Sequence, residues 1–445
     1  MPLRADKHET CSSVTIARNV NVRPETPSSL NSQPAALVET PSKPLHRPLE
    51  IIAARYVILG LQFYAESELR QLNALAHGNH VTVIAARVQS LLPLPELPSE
   101  PGFKLRTISI WRPVTIISQL LFGVKAAWQV IRKIRNLDCL ILDEESTMIM
   151  FPIVLLLRIF MRHRAPAFFL RIPTNPQETG GHFRTFLFSL ADVATIKFAT
   201  LFFDKILFIT PMLASYYSIP LHIPKTKVAI WPSSVDLQCF SPRSAQEELQ
   251  LRKELNLLDQ VVVLYHGRLS TARGIHEAVE AFRILKMEGV KATLVLLGYG
   301  PLRNELIKHV RENKMDDVVR IPNPVNSIAE VADYIAASDA EIGPMPNHVW
   351  YRFQCFIKVL EGLAMNKPVI VSDMPGNRYL LGNSPLAVYL KDTTPRGIAD
   401  GVKEYLAIKQ QLDPTFGRQI ASQYSTDRVA QILEKLILES RSVNR

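Results

Sequence analysis

Residues 260–274, QVVVLYHGRLSTARG, decide the fold of this chain. The β-branched and aliphatic run at residues 260–265 predicts a buried strand, which Gly267 closes. Behind the loop, residues 275–287 carry apolar side chains at helical spacing and predict a helix. A strand, a glycine-containing loop and a helix in this order are typical of a parallel β-sheet with helices on its faces.

The same alternation continues on both sides of this segment. Downstream, strands are predicted at residues 292–297, 318–321, 340–342 and 368–372, with helices at 328–337 and 356–365. Upstream, strands are predicted at residues 55–59, 80–85, 138–142, 167–172, 205–210 and 227–231, with helices at 67–76 and 147–161. Near-continuous apolar strands separated by helices indicate parallel sheets that are covered on both faces. Because the pattern restarts near residues 240–250, we predict an α/β fold of two Rossmann-like, doubly wound domains facing a ligand-binding cleft.

Three segments follow from this restart. Residues 1–48 contain seven prolines and no glycine or aromatic residue, which predicts a disordered tail, with a transit peptide as the alternative. Residues 49–240 form the predicted first domain and residues 241–445 the second. Whether the C-terminal helix at residues 428–439 packs back on the first domain is left open.

Composition narrows the class of protein. With 47% hydrophobic and 21% charged residues, the chain can bury a core, which excludes wholesale disorder. The four cysteines form no CxxC pair, so a disulfide scaffold and a structural zinc site are not expected. We expect a reducing, cytoplasmic location instead. Neither a signal peptide nor a membrane-spanning segment is expected, since the longest apolar run is ten residues, 148–157.

The net charge of +10 favours anionic partners. The first domain accounts for +6 of it, and the tail and the second domain for +2 each. No basic stripe with interleaved aromatic residues is present, so we do not expect nucleic acid as a partner.

The loop after the strand at 260–265 carries the strongest chemical signal. Gly267 lets the backbone approach a ligand, and Arg268 and Arg273 could clamp a diphosphate. The alternative is two surface arginines beside an ordinary turn. The next strand ends at Gly298-Tyr299-Gly300-Pro301, a weak signal because tight turns use glycine anyway. Further on, Glu361 lies in an apolar helical stretch, where it either reaches solvent or accepts hydrogen bonds from a ligand's hydroxyls.

Taken together, these motifs resemble a known family. Gly-Arg-Leu with a second arginine five residues on, Gly-x-Gly-Pro, Lys358-x-x-Glu361 and the segment KPVIVSD at residues 367–373 occur in that order. The order and spacing resemble the nucleotide-sugar domain of retaining glycosyltransferases of family 4, which have the GT-B fold. The resemblance is weaker upstream, at GNHVTVI (78–84) and WPSSVD (231–236).

The resemblance implies roles for individual residues. Arg268 and Arg273 would hold the donor diphosphate and act in catalysis, Glu361 would bind the ribose hydroxyls, and Gly267, Gly298, Gly300 and Lys358 would line the donor site. Gly60 and Glu178 would lie on the acceptor side. No metal and no cofactor are implied, because the arginines would stabilise the leaving diphosphate.

Two positions depart from the family pattern. Phe353 stands where many members have a further glutamate near the donor sugar. Arg171-Ile172-Pro173 occupies the region in which the family commonly has a histidine, so no catalytic base is named.

One amphipathic stretch lies on the acceptor side. Its apolar residues at helical spacing are Ile117, Leu120, Leu121, Val124, Trp128 and Ile131, and Lys125, Arg132, Lys133 and Arg135 lie on or beyond its other side. We expect this helix to pack on its own sheet with a solvated basic face. The alternative is a helix that rests on an anionic membrane surface.

The resemblance therefore implies a metal-independent, retaining glycosyltransferase. Its partners would be a nucleotide-sugar donor and a carbohydrate or lipid-linked acceptor. Whether the acceptor is negatively charged, and whether the protein contacts the inner face of a membrane peripherally, is left open. The alternative is a non-catalytic relative that binds nucleotide or a partner, favoured by Phe353 and the missing histidine.

Overall fold

The computed structural model describes residues 47–59, 64–88, 100–110, 116–161, 165–173, 182–258, 260–325, 327–413 and 415–443. Within them, the chain forms two parallel sheets of seven and six strands. The predicted fold class is confirmed: both units are Rossmann-like, with helices on both faces of a parallel sheet.

The first sheet has the strand order β3-β2-β1-β4-β5-β6-β7. Its strands are β1 (Glu50–Leu59), β2 (His80–Val88), β3 (Phe103–Ile110), β4 (Cys139–Asp143), β5 (Ala167–Ile172), β6 (Lys205–Phe208) and β7 (Val228–Ile230). The helices between them are α1 (Tyr64–Leu75), α2 (Ile116–Lys133), α3 (Glu144–Met161), α4 (His182–Phe202) and α5 (Pro211–Leu221).

The second sheet has the order β10-β9-β8-β11-β12-β13. Its strands are β8 (Val261–His266), β9 (Ala292–Leu297), β10 (Val319–Arg320), β11 (Ala340–Gly343), β12 (Val369–Ser372) and β13 (Ala387–Leu390). The helices of this half are α6 (Ala245–Glu254), α7 (Ile275–Met287), α8 (Arg303–Glu312), α9 (Ile328–Ala337), α10 (Val349–Arg352), α11 (Ile357–Ala364), α12 (Pro375–Leu381), α13 (Pro395–Ile408), α14 (Thr415–Ser422) and α15 (Thr426–Val443).

The last helix belongs to the core of the first unit. Val429, Leu433 and Ile437 of α15 are buried in the same apolar cluster as Leu69 and Leu72 of α1. At the edge of this contact the amide of Asn79 donates to the Glu434 carboxylate at 2.5 Å. The chain thus crosses between the units twice, and the two crossings are joined where the amide of Val235 donates to the carbonyl of Tyr424 at 3.0 Å.

The structure corrects one expectation about α2. The apolar stripe predicted to pack on the sheet points to solvent, and Ile117 is 70% exposed. The buried face of α2 contains Phe122, Ala126, Ala127 and Val130 instead. None of the helices in the described parts of the chain combines the length and the hydropathy needed to cross a membrane.

Candidate functional site

Two glycine-containing loops meet at the carboxyl edge of the second sheet. Gly267 follows β8 with φ +124°, and Gly298 follows β9 with φ +154°, both in the region that favours glycine. A Cβ atom on Gly298 would lie 1.8 Å from the carbonyl oxygen of Gly267. The two loops are therefore in backbone contact, which is the feature that glycine makes possible here.

The contact continues one step further along both loops. The amide of Leu269 donates to the carbonyl of Tyr299 at 2.8 Å, and a Cβ on Gly300 would lie 2.1 Å from the Leu269 carbonyl oxygen. Gly267, Gly298 and Gly300 thus belong to one backbone unit at the position where doubly wound sheets bind ligands.

The two arginines of the first loop have different surroundings. The Arg268 side chain is exposed, and its backbone carbonyl accepts a hydrogen bond from the Tyr265 hydroxyl at 3.0 Å. The Arg273 side chain is buried. A pair of surface arginines, the alternative interpretation of this loop, does not describe Arg273.

Lys358, at the start of α11, is the third cation of this site. Its side chain is 8% exposed and its ammonium lies 3.7 Å from the centroid of the Tyr265 ring, close to Gly267. Burial, reinforced by the charge of Arg273, holds the pKa of Lys358 well below its usual range. Among the described residues, no group accepts a hydrogen bond from this ammonium.

Carboxylates and a histidine lie beside the cations. Nε2 of His266 is 3.4 Å from the carboxylate of Glu341 in β11 and 3.5 Å from that of Glu361 in α11. Burial lowers the pKa of His266, but the charges of Glu341 and Glu361 outweigh it and the net direction is upward. Glu361 is half-buried and Glu341 fully buried, so only Glu361 is placed to meet a ligand.

The close approach of α11 to β11 also depends on a glycine. A Cβ on Gly362 would lie 2.8 Å from the Glu341 carboxylate, so this side chain fits beneath the helix because residue 362 has none. The arrangement holds the Glu361 turn over His266. Sequence reasoning missed Glu341 and His266, although each stands out as a polar residue within an apolar strand.

Residues 247–419 match the family model described as "Glycosyl transferases group 1". Over these residues the chain is similar to group 1 glycosyltransferases. It is 25% identical over 208 residues to a GDP-mannose-dependent alpha-(1-6)-phosphatidylinositol dimannoside mannosyltransferase of Mycobacterium tuberculosis, covering 47% of this chain and 51% of the relative. It is 29% identical over 180 residues to the putative teichuronic acid biosynthesis glycosyltransferase TuaC of Bacillus subtilis, covering 40% of this chain and 41% of TuaC. The chain thus matches about half the length of these curated relatives or less.

Solved structures match a larger share of the chain. The Anabaena protein Alr3699/HepE in complex with UDP superposes with a TM-score of 0.67 at 12% identity, over 88% of this chain and 100% of that one. The glycosyltransferase WaaG, involved in lipopolysaccharide biosynthesis, gives 0.62 at 12% identity, over 87% and 99%. At this identity the likeness concerns the fold, which is GT-B.

Phe353 of the second unit contacts the first unit. Its ring centroid is 5.3 Å from that of Tyr216 in α5, and its carbonyl accepts from the Thr210 hydroxyl at 2.6 Å. The position at which the resemblance expects a sugar-binding glutamate is thus occupied by a contact between the two units.

Gly60 and Glu178, which the resemblance assigns to the acceptor side, lie outside the described residues. Arg171, near the expected histidine, forms an ion pair with Glu68, and its guanidinium lies 4.3 Å from the centroid of the Trp231 ring. Arg55 pairs with the same Glu68 carboxylate, which joins β1, α1 and β5 at their cleft edge.

Acidic residues that the sequence reasoning missed follow the end of β4. Glu144 begins α3, and burial, reinforced by Asp192 and Asp143, raises its pKa well above the usual range. Burial also raises the pKa of Asp192 to about 6. The signal in the sequence was the acidic run Asp143-Glu144-Glu145 directly after an apolar strand. Within the described ranges, no group of three or more His, Cys, Asp or Glu side chains is arranged to hold a metal ion.

Proposed function

We propose that this chain transfers a sugar from a nucleotide diphosphate sugar to an acceptor hydroxyl, with retention of the anomeric configuration, as a member of glycosyltransferase family 4. The observation that carries the proposal is the buried Lys358 ammonium, which lies next to Arg273 at the end of β8 and donates no hydrogen bond within the described chain. Glu341 and Glu361 offset part of the cost of burying this charge, but neither accepts a hydrogen bond from the ammonium, and an anionic ligand that did so would stabilise it further.

A diphosphate is the anion that fits this position. Arg273 and Lys358 present two charges from the interior, and Arg268 adds a third from the surface of the same loop. Charge-assisted hydrogen bonds from guanidinium groups suit phosphate oxygens. A Cβ atom on Gly267 would meet only the Lys358 ammonium among the described atoms, at 3.6 Å, so the backbone at Gly267 is open to the close approach of a ligand. Glu361 would accept hydrogen bonds from the ribose hydroxyls.

The reaction that these groups support breaks the bond between the anomeric carbon and the diphosphate oxygen. Negative charge develops on that oxygen, and Arg268, Arg273 and Lys358 stabilise it. The acceptor oxygen forms the new bond on the same face of the sugar, and the leaving diphosphate takes the proton of the acceptor hydroxyl. The cationic side chains stabilise the charge of the leaving diphosphate, as a metal ion does in other reactions with a diphosphate leaving group.

The acceptor and the location of the protein form part of this proposal. The excess positive charge lies mainly in residues 49–240, so we propose an acceptor, carbohydrate or lipid-linked, that is anionic or is presented by an anionic surface. The relative from M. tuberculosis is named for a phosphatidylinositol-linked acceptor, which supports a lipid-linked class. We propose a cytoplasmic location at the inner face of a membrane.

A second candidate is a non-catalytic relative that binds nucleotide alone. Phe353 favours it, since this ring packs against Tyr216 of the first unit at the position expected to contact the donor sugar. Both candidates predict nucleotide binding, and only the enzyme predicts turnover.

The test begins with thermal unfolding in the presence of UDP, GDP or ADP. One of them at about 100 times its dissociation constant adds ~2.7 kcal/mol to the free energy of unfolding, which raises the melting temperature by a few degrees. Lys358→Met and Arg273→Ala should reduce the shift, to about half if binding weakens tenfold, whereas Arg311→Ala, which removes an exposed cation on α8, should preserve it. The absence of a shift with every nucleoside diphosphate at millimolar concentration would refute both candidates.

Donor hydrolysis separates the two candidates. An enzyme should release nucleoside diphosphate slowly from its nucleotide sugar, and Arg268→Ala should suppress this release while the melting temperature stays near that of the wild type. Binding of nucleotide without any release from a panel of nucleotide sugars would favour the non-catalytic relative.

A further inference from the structure

Helix α2 exposes the side of the helix that a soluble core would normally bury. Six large apolar side chains that share one stripe of α2 are exposed: Ile117, Leu120, Leu121, Val124, Trp128 and Ile131. Trp128, in the second half of the helix, is 56% exposed. The side of α2 that meets the sheet is already filled, so this stripe has no place in the core of its own domain.

The neighbouring helix extends the exposed surface. On α3 the exposed apolar side chains are Met148, Phe151, Leu156, Ile159 and Phe160, and Phe160 is 79% exposed. The helices approach closely, since a Cβ on Gly123 of α2 would lie 1.9 Å from Cγ2 of Ile149 on α3. We call these eleven side chains of the two helices the apolar face. Single exposed apolar residues are ordinary, but a broad patch of them marks an interaction surface.

The surroundings of the apolar face carry charge of one sign. Residues 103–135 contain seven lysines and arginines and no aspartate or glutamate. An open groove of about 830 Å³ between β3 and α2 is lined by Arg106, Lys125, Trp128 and Arg132 among others. The guanidinium of Arg132 lies 4.8 Å from the centroid of the Trp128 ring. Cations beside a tryptophan at the margin of an apolar surface match the chemistry of a phospholipid interface.

We propose that the apolar face docks on a bilayer leaflet containing anionic phospholipid, with a headgroup phosphate in the groove between β3 and α2. A second copy of the chain fits this surface less well, because a two-fold contact would bring the same cations close to one another. The docking goes beyond the proposed transfer reaction and does not depend on it. Since α2 and α3 both begin at the carboxyl edge of the first sheet, docking brings that edge next to the lipid headgroups.

The test is flotation of the full chain with vesicles of phosphatidylcholine alone or with about one third phosphatidylglycerol. The wild type should float with the anionic vesicles and weakly with the neutral ones. Val124→Ser/Trp128→Ser should lower the bound fraction at least tenfold by removing apolar contact. Lys125→Gln/Arg132→Gln should lower the partition coefficient roughly 30-fold, because each cation near an anionic surface contributes a factor of about five.

The matched control is Met287→Ser, which removes a side chain that is 75% exposed on α7 of the second unit. It should float like the wild type, and all variants should keep the thermal shift with nucleoside diphosphate. Equal binding to neutral and anionic vesicles, or flotation unchanged by Val124→Ser/Trp128→Ser, would overturn the proposal. So would a dimer in sedimentation experiments that the same double variant dissociates. Since flotation and nucleotide binding are separate measurements, failure of the docking proposal would contradict the proposed location at a membrane but would leave the proposed transfer reaction standing.

Discussion

Replacement of Gly298 by alanine tests whether the two glycine loops form the donor site as one backbone unit. The new Cβ would lie 1.8 Å from the Gly267 carbonyl oxygen and 2.9 Å from its carbon. Cβ atoms essentially never come within 3.0 Å of another atom, so the loops must separate by about 1 Å. The neighbour is backbone and cannot rotate away as a flexible side chain would.

Two costs add in this variant. Holding a non-glycine residue at φ +154° and opening a packed contact together cost about 2–5 kcal/mol of the free energy of unfolding. A displacement of about 1 Å beside the reacting groups lowers the rate about a hundredfold. We therefore expect Gly298→Ala to lower the melting temperature, to lose most of the thermal shift with nucleoside diphosphate, and to release diphosphate from the donor about a hundred times more slowly.

Gly289→Ala is the matched control, since Gly289 also has a positive φ, +72°, but a Cβ there meets no atom within 4 Å. It should cost about 1 kcal/mol from backbone strain alone and leave nucleotide binding intact. Circular dichroism establishes that both variants remain folded at the assay temperature. If folded Gly298→Ala binds nucleotide as well as Gly289→Ala, the two loops do not form the site as one unit.

Three further predictions concern the charged and aromatic groups. Burial lowers the pKa of His266, but the charge of Glu341 outweighs this effect, so the pKa of His266 in the folded protein is raised. The stability advantage of the wild type over His266→Gln in thermal unfolding should therefore be greatest below about pH 6.5 and should shrink as the pH rises through the folded-state pKa. A constant difference in melting temperature from pH 6 to 9 would contradict this. Lys358→Met removes a buried cation whose pKa is lowered by burial, so at pH 7 it should raise the melting temperature of the nucleotide-free protein. The same variant should weaken nucleoside diphosphate binding about tenfold in calorimetry. Tighter binding would contradict the role of Lys358 in holding the diphosphate. Phe353→Ala removes the ring contact with Tyr216 and should lower the free energy of unfolding in urea by about 1–3 kcal/mol. Phe353→Leu should lose less of this free energy, because leucine keeps part of the apolar contact. Equal stability of both variants and the wild type would show that the contact is not formed in solution.

The central elements of the second unit were predictable because local pattern and burial agree there. Helix α7 and strand β9 were predicted to the residue, since each is bounded by a glycine and buries a regular set of aliphatic side chains. The edge strands β3 and β13 were missed. Polar and apolar residues mix in β3, and β13 has only four residues, so pairing with a single neighbour defines both strands more than their own sequence does.

For the site as well, local features were predictable from the sequence and long-range contacts were not. Gly267, Gly298 and the Arg268–Arg273 loop are local features of strand–loop–helix turns, and their order along the chain was sufficient to expect a site. Which cation is buried could not be predicted, because Arg273 and Lys358 act on each other in the folded chain but lie more than 70 residues apart in the sequence. The same distance hid the contact of His266 with Glu341.

By itself, the sequence determined that two parallel α/β sheets form and where the glycine loops fall, because strand and helix periodicity and backbone freedom are properties of neighbouring residues. The tertiary structure decided which face of α2 is outside, that α15 completes the core of the first unit, and that Phe353 joins the two halves. Each of these features depends on which surfaces are buried by segments that are distant in the sequence. Helical spacing predicts that a side of a helix is apolar, and packing alone determines whether that side meets the protein interior or another surface.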